Sequence, residues 1–482
     1  MKVVLIRVRS DLRIGTHPRE LVPPIILLYS ATLLKSSGFE VKLFYFDWRG
    51  LEHWPLPTLE PAELFIIKAN SVSFDAAKYL ACLIKERFNK PVALDSRSPA
   101  DENLNFLRTN PCFDYSVYGD PEKPILELAR YIAGKAELSN YVWTRERANF
   151  GDLKPYIEKN LDSLPFPDQS LLPNLGYSKR KFGQPKKNGP WRFLLSNRGC
   201  PYSCLFCSSA HSNSFGTIFR AHSPEYMLSL IAYYRDKFGL GAISFEDDTF
   251  AVDRGAAMSL CEGMKSRGLV FPWVAQTRPD LLDRELLNAM KSCGCFGIAL
   301  GVTTLDNKIL ASVKRGFTVE QVLKTLKLCQ DAGISVLINK IVGLPGQSLE
   351  QFIRSVKTLM ANLPKGQLHV HKFDPKGCYN KGDWLSRPTM MPEKAEKLQV
   401  WAYRKFYFRP RNLLYQFSLR AHSLLFDSGE RKLLLDFLRY SWNFITRGGE
   451  YKNNERRLPF GFLKYSWLLE DTTQTPKSPL VR

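Results

Sequence analysis

The sequence predicts an α/β protein with an N-terminal Rossmann-like domain, then a partial (β/α)6 TIM-type barrel, then a mainly helical C-terminal region. Three observations support this fold class. The chain has 482 residues, of which 44% are hydrophobic, so it is long and apolar enough for several cores. Short β-branched runs alternate with helical stretches in two separate blocks, which is typical of parallel sheets covered by helices. The final block is helical, aromatic and basic.

The first block, residues 1–136, is predicted to form the Rossmann-like domain. Its predicted strands are VVLIRV, VKLFYF, ELFIIKA, PVAL and DYSVYG. The predicted helices between them are PPIILLYSATLLKSSG, DAAKYLACLIKERF and EKPILELARYIA. Pro23 and Pro24 suit a helix start, and Gly38 suits a helix end. Residues 137–190 lose this periodicity and gain Pro, Gly, Lys and Asn, so they are predicted to be a linker.

The second block, residues 191–385, is predicted to form the partial barrel. Its predicted strands are RFLLSN, GAISFED, WVAQT, GIALGV, VLINKIVG and HVHKF, with helical segments between most of them. Strands that alternate with helices in this way favour a parallel, barrel-like sheet. Residues 386–482 are predicted to form the helical basic region.

The N-terminal segment predicts a cytoplasmic protein. MKVVLIRVRSDLR alternates like a strand and lacks the features of a signal peptide. The most apolar early segment, 22–34, contains two prolines and is shorter than the roughly 20 apolar residues of a membrane span. Ten cysteines without a secretory signal favour reduced thiols over a disulfide framework. Isolated core thiols are predicted at Cys82, Cys112, Cys261, Cys329 and Cys378.

The net charge of +21 predicts a partner that carries negative charge. Nucleic acid, an anionic membrane surface and a phosphorylated small substrate all fit such an excess. The charge alone does not choose among them.

A cysteine triplet carries the chemistry. Cys200, Cys204 and Cys207 lie in SNRGCPYSCLFC, directly after the first barrel strand, so a loop at the carboxyl end of the sheet is predicted to hold them. Three thiolates can bind three irons of a cubane and leave the fourth iron open to a cofactor. The alternative, structural zinc, requires a fourth ligand, and His211 is the nearest candidate.

RGCPYSCLFC resembles the cluster loop of radical S-adenosylmethionine (SAM) enzymes. The resemblance continues in order through LDSLPFPD, FRAHSPE, ISFEDDTF, VAQTRPDLLD, MKSCGCFGIALGV, KRGFT and IVGLPGQSLEQF. It is nearest to the branch whose N-terminal domain resembles a cobalamin-binding domain. The resemblance implies a [4Fe–4S] cluster on the three cysteines, SAM on the open iron, and a 5′-deoxyadenosyl radical that abstracts hydrogen from an unactivated carbon. It also implies a reduced electron donor such as ferredoxin or flavodoxin.

The resemblance further implies cofactor-binding residues at the strand ends. Glu246, Asp247 and Asp248 correspond to groups near the methionine end of SAM or the substrate, and Glu246 and Asp248 are the candidate cofactor-binding residues. An acidic helix start explains these residues equally well. Arg278 corresponds to a partner of the cofactor carboxylate, a task suited to guanidinium, with an ordinary surface arginine as the alternative. No catalytic residue is identified.

Two further cofactor-binding residues are implied on the later strands. Thr304 keeps a hydroxyl near the ribose, whereas Thr303 replaces the acid that relatives carry. Gly343 corresponds to the stretch along the adenine, where glycine permits close backbone approach. A plain strand-to-helix turn is the alternative for this glycine.

Cobalamin binding stays open at this point. Relatives that bind it often carry glycine-rich loops, whereas the corresponding segments here read DSRSPA, from Asp95, and GDPEK, from Gly119. The chain also lacks an Asp-x-His-x-x-Gly motif. The alternative is a degenerate domain that serves as a structural or substrate wall.

The favoured function is a radical SAM enzyme, with methyl transfer to a small or lipid-like substrate. The alternatives are ring formation or other carbon–carbon chemistry without cobalamin, RNA modification, and a decayed iron–sulfur protein, suggested by Thr303 and Gln347. RNA and other nucleic acids are disfavoured because methylthiolating relatives carry a second cysteine trio, which Cys82 and Cys112 cannot form.

The basic region after Trp401 bears on the partner. It interleaves Lys and Arg with aromatic residues, which suits a peripheral contact with a membrane surface. Packing against the barrel is the alternative, favoured by the helical spacing of Leu434, Leu435, Leu438 and Trp442.

Overall fold

The computed structural model describes residues 1–9, 22–47, 59–69, 73–96, 106–146, 155–173, 189–207, 218–373, 390–415 and 418. Within these residues the chain forms two six-stranded sheets and a two-stranded pair. Several predictions concern residues outside these ranges. They are His211, Cys378, residues 97–100 of the DSRSPA segment, and Leu434, Leu435, Leu438 and Trp442 of the basic region.

The first sheet has the order β2-β1-β3-β4-β5-β6. Its strands are β1 (Lys2–Arg9), β2 (Glu40–Asp47), β3 (Leu64–Ala69), β4 (Val92–Ser96), β5 (Tyr115–Val117) and β6 (Val142–Trp143). The helices of this part are α1 (Ile25–Ser36), α2 (Phe74–Phe88), α3 (Phe106–Thr109) and α4 (Glu122–Ile132). All strand pairs are parallel except β5 with β6. The short strand β6 extends this sheet past the boundary predicted at residue 136.

The side-chain alternation of the first strands divides the domain into two cores. Val4 and Ile6 of β1 pack with α2 on one face, and Val3 and Leu5 pack with α1 and α4 on the other. Every residue of β3 is buried, as expected for a strand covered by helices on both faces.

The second sheet has the order β7-β10-β11-β12-β13-β14, and every neighbouring pair is parallel. Its strands are β7 (Trp191–Leu194), β10 (Ala242–Phe245), β11 (Trp273–Thr277), β12 (Cys295–Thr303), β13 (Ser335–Val342) and β14 (Gln367–Lys372). Its helices are α5 (Pro224–Phe238), α6 (Arg254–Ser266), α7 (Arg284–Ser292), α8 (Asn307–Ser312), α9 (Val319–Asp331) and α10 (Leu349–Asn362). The mixed α/β class with parallel sheets is confirmed, and the strand order is that of a partial barrel.

Local sequence signals begin the barrel helices. The Ser223 hydroxyl accepts from the amide of Tyr226 at the start of α5. Thr318 and Ser348 form capping boxes at α9 and α10, in which cap and third residue satisfy each other's backbone N–H groups. These caps fix where each strand-to-helix connection ends.

Side chains of the two parts share one core inside the barrel. Ile25 and Tyr29 of α1 pack in the same cluster as Phe193, Val274 and Leu337 of the second sheet. The first domain therefore fills part of the space that the barrel strands enclose.

The helix α11 (Pro392–Tyr407) covers the outer edge of β14. The hydroxyls of Tyr403 and Tyr407 lie within hydrogen-bond distance of both backbone groups of Val370 and Leu368, respectively. The Gln399 amide also donates to the Val370 carbonyl. The described start of the basic region thus packs against the barrel.

One pair of cysteines corrects the expectation of reduced thiols. Cys82 of α2 and Cys112 before β5 form a disulfide, although 30 residues separate them in sequence. The prediction was wrong for this pair because sequence spacing does not show that α2 packs beside the loop before β5. Cys261, Cys293, Cys295 and Cys329 are free and buried.

None of the described helices has the length and apolar character needed to cross a bilayer.

Candidate active site

The loop that carries the cysteine triplet is held at its start by Asp247. The backbone N–H and the hydroxyl of Ser196 each donate to the Asp247 carboxylate at 2.6 Å, and the N–H of Asn197 donates at 3.0 Å. Asp247 follows β10 and is fully buried, and this burial raises the pKa of its carboxyl to about 7. Asp247 therefore fixes the first residues of the loop to the neighbouring strand.

A buried ion-pair network holds the next residues. Arg198 of the short strand β8 (Asn197–Arg198) pairs with Asp120 and Glu122 of the first domain. Arg220 of β9 (Arg220–Ala221) also pairs with Asp120 and donates to the Glu158 carbonyl. β8 and β9 pair antiparallel, so both ends of the cysteine loop are anchored to the first domain.

Gly199 lets the loop turn toward the cysteines. Its φ is +81°, and a Cβ at this position would lie 2.0 Å from the Ile218 carbonyl oxygen. A side chain would displace the backbone here.

The thiols of Cys200 and Cys204 are buried, and that of Cys207 is half-buried. The Cys200 Sγ lies 3.5 Å from the Thr249 hydroxyl. Within the described residues, no three Cys, His, Asp or Glu side chains are gathered closely enough to hold a single metal ion. A cubane binds each thiolate through a different iron, so its ligands stand farther apart than those of one ion. The donor set fits an iron–sulfur cluster better than zinc.

Two guanidinium groups lie beside the Cys204 sulfur. The Arg315 Nη1 donates to the Cys204 Sγ at 3.1 Å, and the Arg278 Nη1 lies 3.8 Å from the same atom. Both arginines are buried. The Arg315 Nε is buried without an acceptor, which fits a further anionic group, such as a cluster sulfide or a carboxylate, on this side of the loop.

Arg278 is held by neighbours of its own. It donates twice to the Asp280 carboxylate, at 3.0 and 2.9 Å, and its guanidinium stacks 3.6 Å from the centre of the Tyr202 ring. Burial lowers its pKa, but the hydrogen bonds and charge of Asp280 outweigh it, so the pKa is raised. The predicted contact of Arg278 with a cofactor carboxylate stays a prediction.

Thr304 and Gly343 meet through one side chain. The Gln347 amide donates to the Thr304 hydroxyl at 3.5 Å, and its carbonyl accepts from the Gly343 N–H at 3.0 Å. The structure thus brings together two of the sequence-predicted residues at the ends of β12 and β13. Thr303 has a φ of +67°, which is unusual for a β-branched residue.

The acidic residues that follow β10 have different environments. Glu246 is half-buried and accepts from the Ser244 hydroxyl at 2.5 Å, whereas Asp248 is exposed. The sequence grouped Asp247 with these two residues near the cofactor and did not show its contact with the cysteine loop. Sequence reasoning missed Arg315, although this arginine lies in the KRGFT segment, and Gln347 as the bridge between strand ends.

The carboxyl edge of the first sheet is a second candidate site. The order β2-β1-β3-β4 places a topological switch point between β1 and β3, where open α/β sheets bind ligands. Lys68 and Asp95, neighbours on β3 and β4, form a buried ion pair of 2.6 Å there. The topology fits a ligand at this edge, and no glycine stands at the ends of these two strands.

Comparisons with known proteins place this geometry in a family. A model described as the Radical SAM superfamily matches residues 194–359, which include the three cysteines and both arginines. An uncharacterized methyltransferase of Pyrococcus horikoshii is 25% identical, over 86% of this chain and 94% of its own length. The chain therefore contains a radical SAM domain. An anaerobic magnesium-protoporphyrin IX monomethyl ester cyclase of Rubrivivax gelatinosus is 28% identical over 53% of this chain and 47% of its own.

Two solved radical SAM structures share the fold. TsrM from Kitasatospora setae, with cobalamin and a [4Fe–4S] cluster bound, has a TM-score of 0.56, 16% identity, and coverage of 76% of this chain and 74% of its own. OxsB, with aqua-cobalamin and SAM bound, has a TM-score of 0.59 and 17% identity, and this chain spans about half of its length (74% and 51% covered). The part of this chain that matches each structure is therefore longer than the second sheet and its helices.

The radical SAM domain confirms the expected cluster and SAM. As a radical SAM enzyme, the chain uses a [4Fe–4S] cluster and SAM, and its reaction requires a reductant. The residues that hold these groups remain predictions: the cysteine triplet for the cluster, and the strand-end residues for SAM.

Proposed function

We propose that this radical SAM enzyme is a methyltransferase that acts on an unactivated carbon of a small or lipid-like substrate. The observation that carries the proposal is the anchored loop after β7, with the three cysteines at the carboxyl end of a parallel sheet, where such sheets carry their chemistry. The Pyrococcus horikoshii relative, named a methyltransferase, supports methyl transfer in particular.

The chain's own residues organise the site. When bound, the cluster delivers one electron to SAM, whose cleavage starts the radical chemistry. Asp247 and Arg198 fix the entry of the cysteine loop, and Arg278 and Arg315 provide positive charge beside Cys204. The burial of Cys200 and Cys204 excludes water from the cluster side.

The balance of the reaction defines the products. One SAM gives its methyl group and leaves as S-adenosylhomocysteine. A second SAM takes up one electron and the substrate hydrogen, and leaves as methionine and 5′-deoxyadenosine. A cobalamin methyl carrier would need a further electron for its regeneration, so each methylation would consume two electrons from the reductant. Both adenosyl products are therefore expected.

The test is anaerobic reconstitution with iron and sulfide, followed by dithionite and SAM that carries a ¹³C-methyl group. Chromatography should detect 5′-deoxyadenosine, and S-adenosylhomocysteine when hydroxocobalamin is supplied as methyl acceptor. The Cys204→Ala variant should lose both products. The Cys329→Ala variant is the matched control, because Cys329 is a buried core thiol of α9. Wild-type protein that forms neither product above the Cys204→Ala background contradicts the proposal.

The methyl carrier that we propose is cobalamin at the carboxyl edge of the first sheet. The switch point between β1 and β3 and the shared fold with TsrM and OxsB, both solved with cobalamin, support this. Refolding with hydroxocobalamin should leave the corrin absorption bands with the protein after gel filtration. Colourless protein supports instead a degenerate domain that serves as a wall.

The substrate class rests on the charge of +21. A basic, aromatic C-terminal region suits an anionic lipid surface. Co-flotation with anionic liposomes at low salt supports a lipid-like substrate, and equal flotation with neutral liposomes contradicts an electrostatic contact.

A further inference from the structure

We infer that Arg315 is a positioning residue for the cluster. It holds the Cys204 sulfur and makes the cluster easier to reduce. The inference rests on the proposed placement of the cluster on Cys200, Cys204 and Cys207. It concerns the cluster alone, so it is tested without SAM, substrate or methyl carrier.

The side chain of Arg315 connects its own segment, after α8, to the cysteine loop and to strand β12. Its Nη1 donates to the Cys204 Sγ at 3.1 Å, and its Nη2 donates to the Gly301 carbonyl near the end of β12. Its Nε is buried without an acceptor. The guanidinium is therefore anchored by the strand through Nη2 and donates to the cysteine loop through Nη1.

The backbone around Arg315 is attached to the same loop. The Leu205 N–H donates to the Val313 carbonyl at 3.2 Å, and these two residues share a small apolar cluster with Ile309 and Leu344. The Arg278 guanidinium donates to the Arg315 carbonyl at 2.5 Å. Because the backbone and the side chain of Arg315 are both fixed, the guanidinium is preorganised before a cluster binds.

Arg315 is a buried cation that forms no ion pair with a carboxylate among the described residues. Arg278 pairs with Asp280. The side chain of Arg315 instead contacts a sulfur, a carbonyl, and the rings of Phe206 and Phe317, whose centres lie 5.8 and 4.7 Å from its guanidinium carbon. Its positive charge is thus directed at Cys204 in a site of low polarity.

The charge has a direct consequence for electron transfer. Reduction adds one electron to the cluster and makes it more negative by one charge. Hydrogen bonds to the sulfurs and nearby positive charge stabilise the reduced form more than the oxidised form. Arg315 should therefore raise the reduction potential and favour acceptance of the electron from the external reductant.

The experiment is a redox titration of the reconstituted full-length protein, followed by electron paramagnetic resonance of the reduced cluster. Arg315→Gln should reduce the ratio of reduced to oxidised cluster about tenfold at a fixed solution potential, which is about 59 mV for a one-electron couple. Arg315→Lys keeps the charge with fewer donors, and its potential should lie between wild type and Arg315→Gln. Arg254→Gln is the control, since Arg254 is exposed and pairs with Asp283 and Glu285.

The outcomes separate the inference from other failures. An Arg315→Gln cluster with the wild-type potential overturns the inference. If Arg315→Gln binds no iron, Arg315→Lys decides: a potential equal to wild type overturns the inference, and a lower one supports it. A structural role alone would lower the thermal midpoint without moving the potential. Failure of wild type to cleave SAM would contradict the proposed function and leave the potentials measurable.

Discussion

Arg198 and Glu122 form a bidentate ion pair, with Nη1 3.1 Å from one carboxylate oxygen and Nη2 2.8 Å from the other. Their side chains are only 2% and 1% exposed. Glu122 begins α4 of the first domain, and Arg198 precedes the cysteine triplet in the barrel. The first domain therefore holds the loop on which the cluster is proposed to assemble.

Glu122→Gln should destabilise the protein, because it leaves the buried Arg198 with only part of its compensating charge. Removal of one partner of a buried pair costs about 3–5 kcal/mol. The thermal midpoint and the iron content after reconstitution should both fall. Glu285→Gln removes an exposed partner of Arg254 and should cost less than about 1 kcal/mol. Equal effects of the two substitutions would show that Glu122 contributes no more than a surface charge.

Asp247→Ala should reduce iron content, because three donors of Ser196 and Asn197 lose their acceptor. Each buried donor left unpaired costs about 1–3 kcal/mol. Asp247→Asn should preserve the loop, since its oxygen can accept both N–H groups and its amide can donate to the Ser196 hydroxyl.

The two Asp247 variants also differ from wild type in pH dependence. Burial raises the pKa of Asp247 to about 7, so its stabilising protonated form is lost as the pH rises through about 7. Asp247→Asn stays neutral and should become more stable than wild type above this pH. A thermal midpoint difference that does not change from pH 6 to pH 8 would refute this.

His222 should weaken the protein in mild acid. Burial lowers its pKa to about 4, although the Asp162 hydrogen bond opposes this shift. Between the ordinary value of 6.5 and about 4, the unfolded chain takes up a proton that the folded protein does not, so stability falls as the pH falls. Between pH 7 and 5 the loss is about 2 kcal/mol.

His222→Phe should remove that pH dependence. The ring stacks 4.1 Å from Tyr226, and phenylalanine retains this contact. The thermal midpoint of wild type should drop more steeply from pH 7 to pH 5 than that of the variant, and parallel curves would exclude His222 as the cause.

Lys340→Met should stabilise the protein at neutral pH. Burial lowers the pKa of Lys340 to about 7, and its ammonium donates to the Ser355 hydroxyl among apolar neighbours. As the pH falls from 10.5 toward 7, the Lys340 amine takes up a proton in the unfolded chain but not in the folded protein. The folded protein therefore loses a few kcal/mol of stability over this range. The gain from methionine should therefore be larger at pH 7 than at pH 10. Ser355 keeps the Leu305 N–H as partner, and Lys308→Met is the exposed control.

The mixed α/β class and the alternation of strands with helices followed from the sequence, because hydrophobic alternation and segment length are local signals. The contacts of the site were harder to predict. Glu246, Asp247 and Asp248 are consecutive and chemically alike, and β10 is buried at every position, so the pattern could not show which carboxylate points toward the cysteine loop. The contact between Arg315 and Cys204 spans 111 residues, a distance that no local pattern encodes.

The disulfide is a second long-range contact that the sequence did not predict. The spacing of Cys82 and Cys112 gave no indication that they meet, because their contact depends on how α2 packs beside the sheet. The sequence-predicted Thr304 and Gly343 do meet, through Gln347, because carboxyl ends of neighbouring parallel strands lie at one edge.

The hydroxyls of two α11 tyrosines occupy backbone groups at the outer edge of β14. A bare strand edge offers its backbone groups to an incoming peptide, and it also invites aggregation. Tyr403 and Tyr407 already engage the outward backbone groups of Val370 and Leu368. A peptide that pairs with β14 by strand addition would therefore have to displace these two tyrosine hydroxyls.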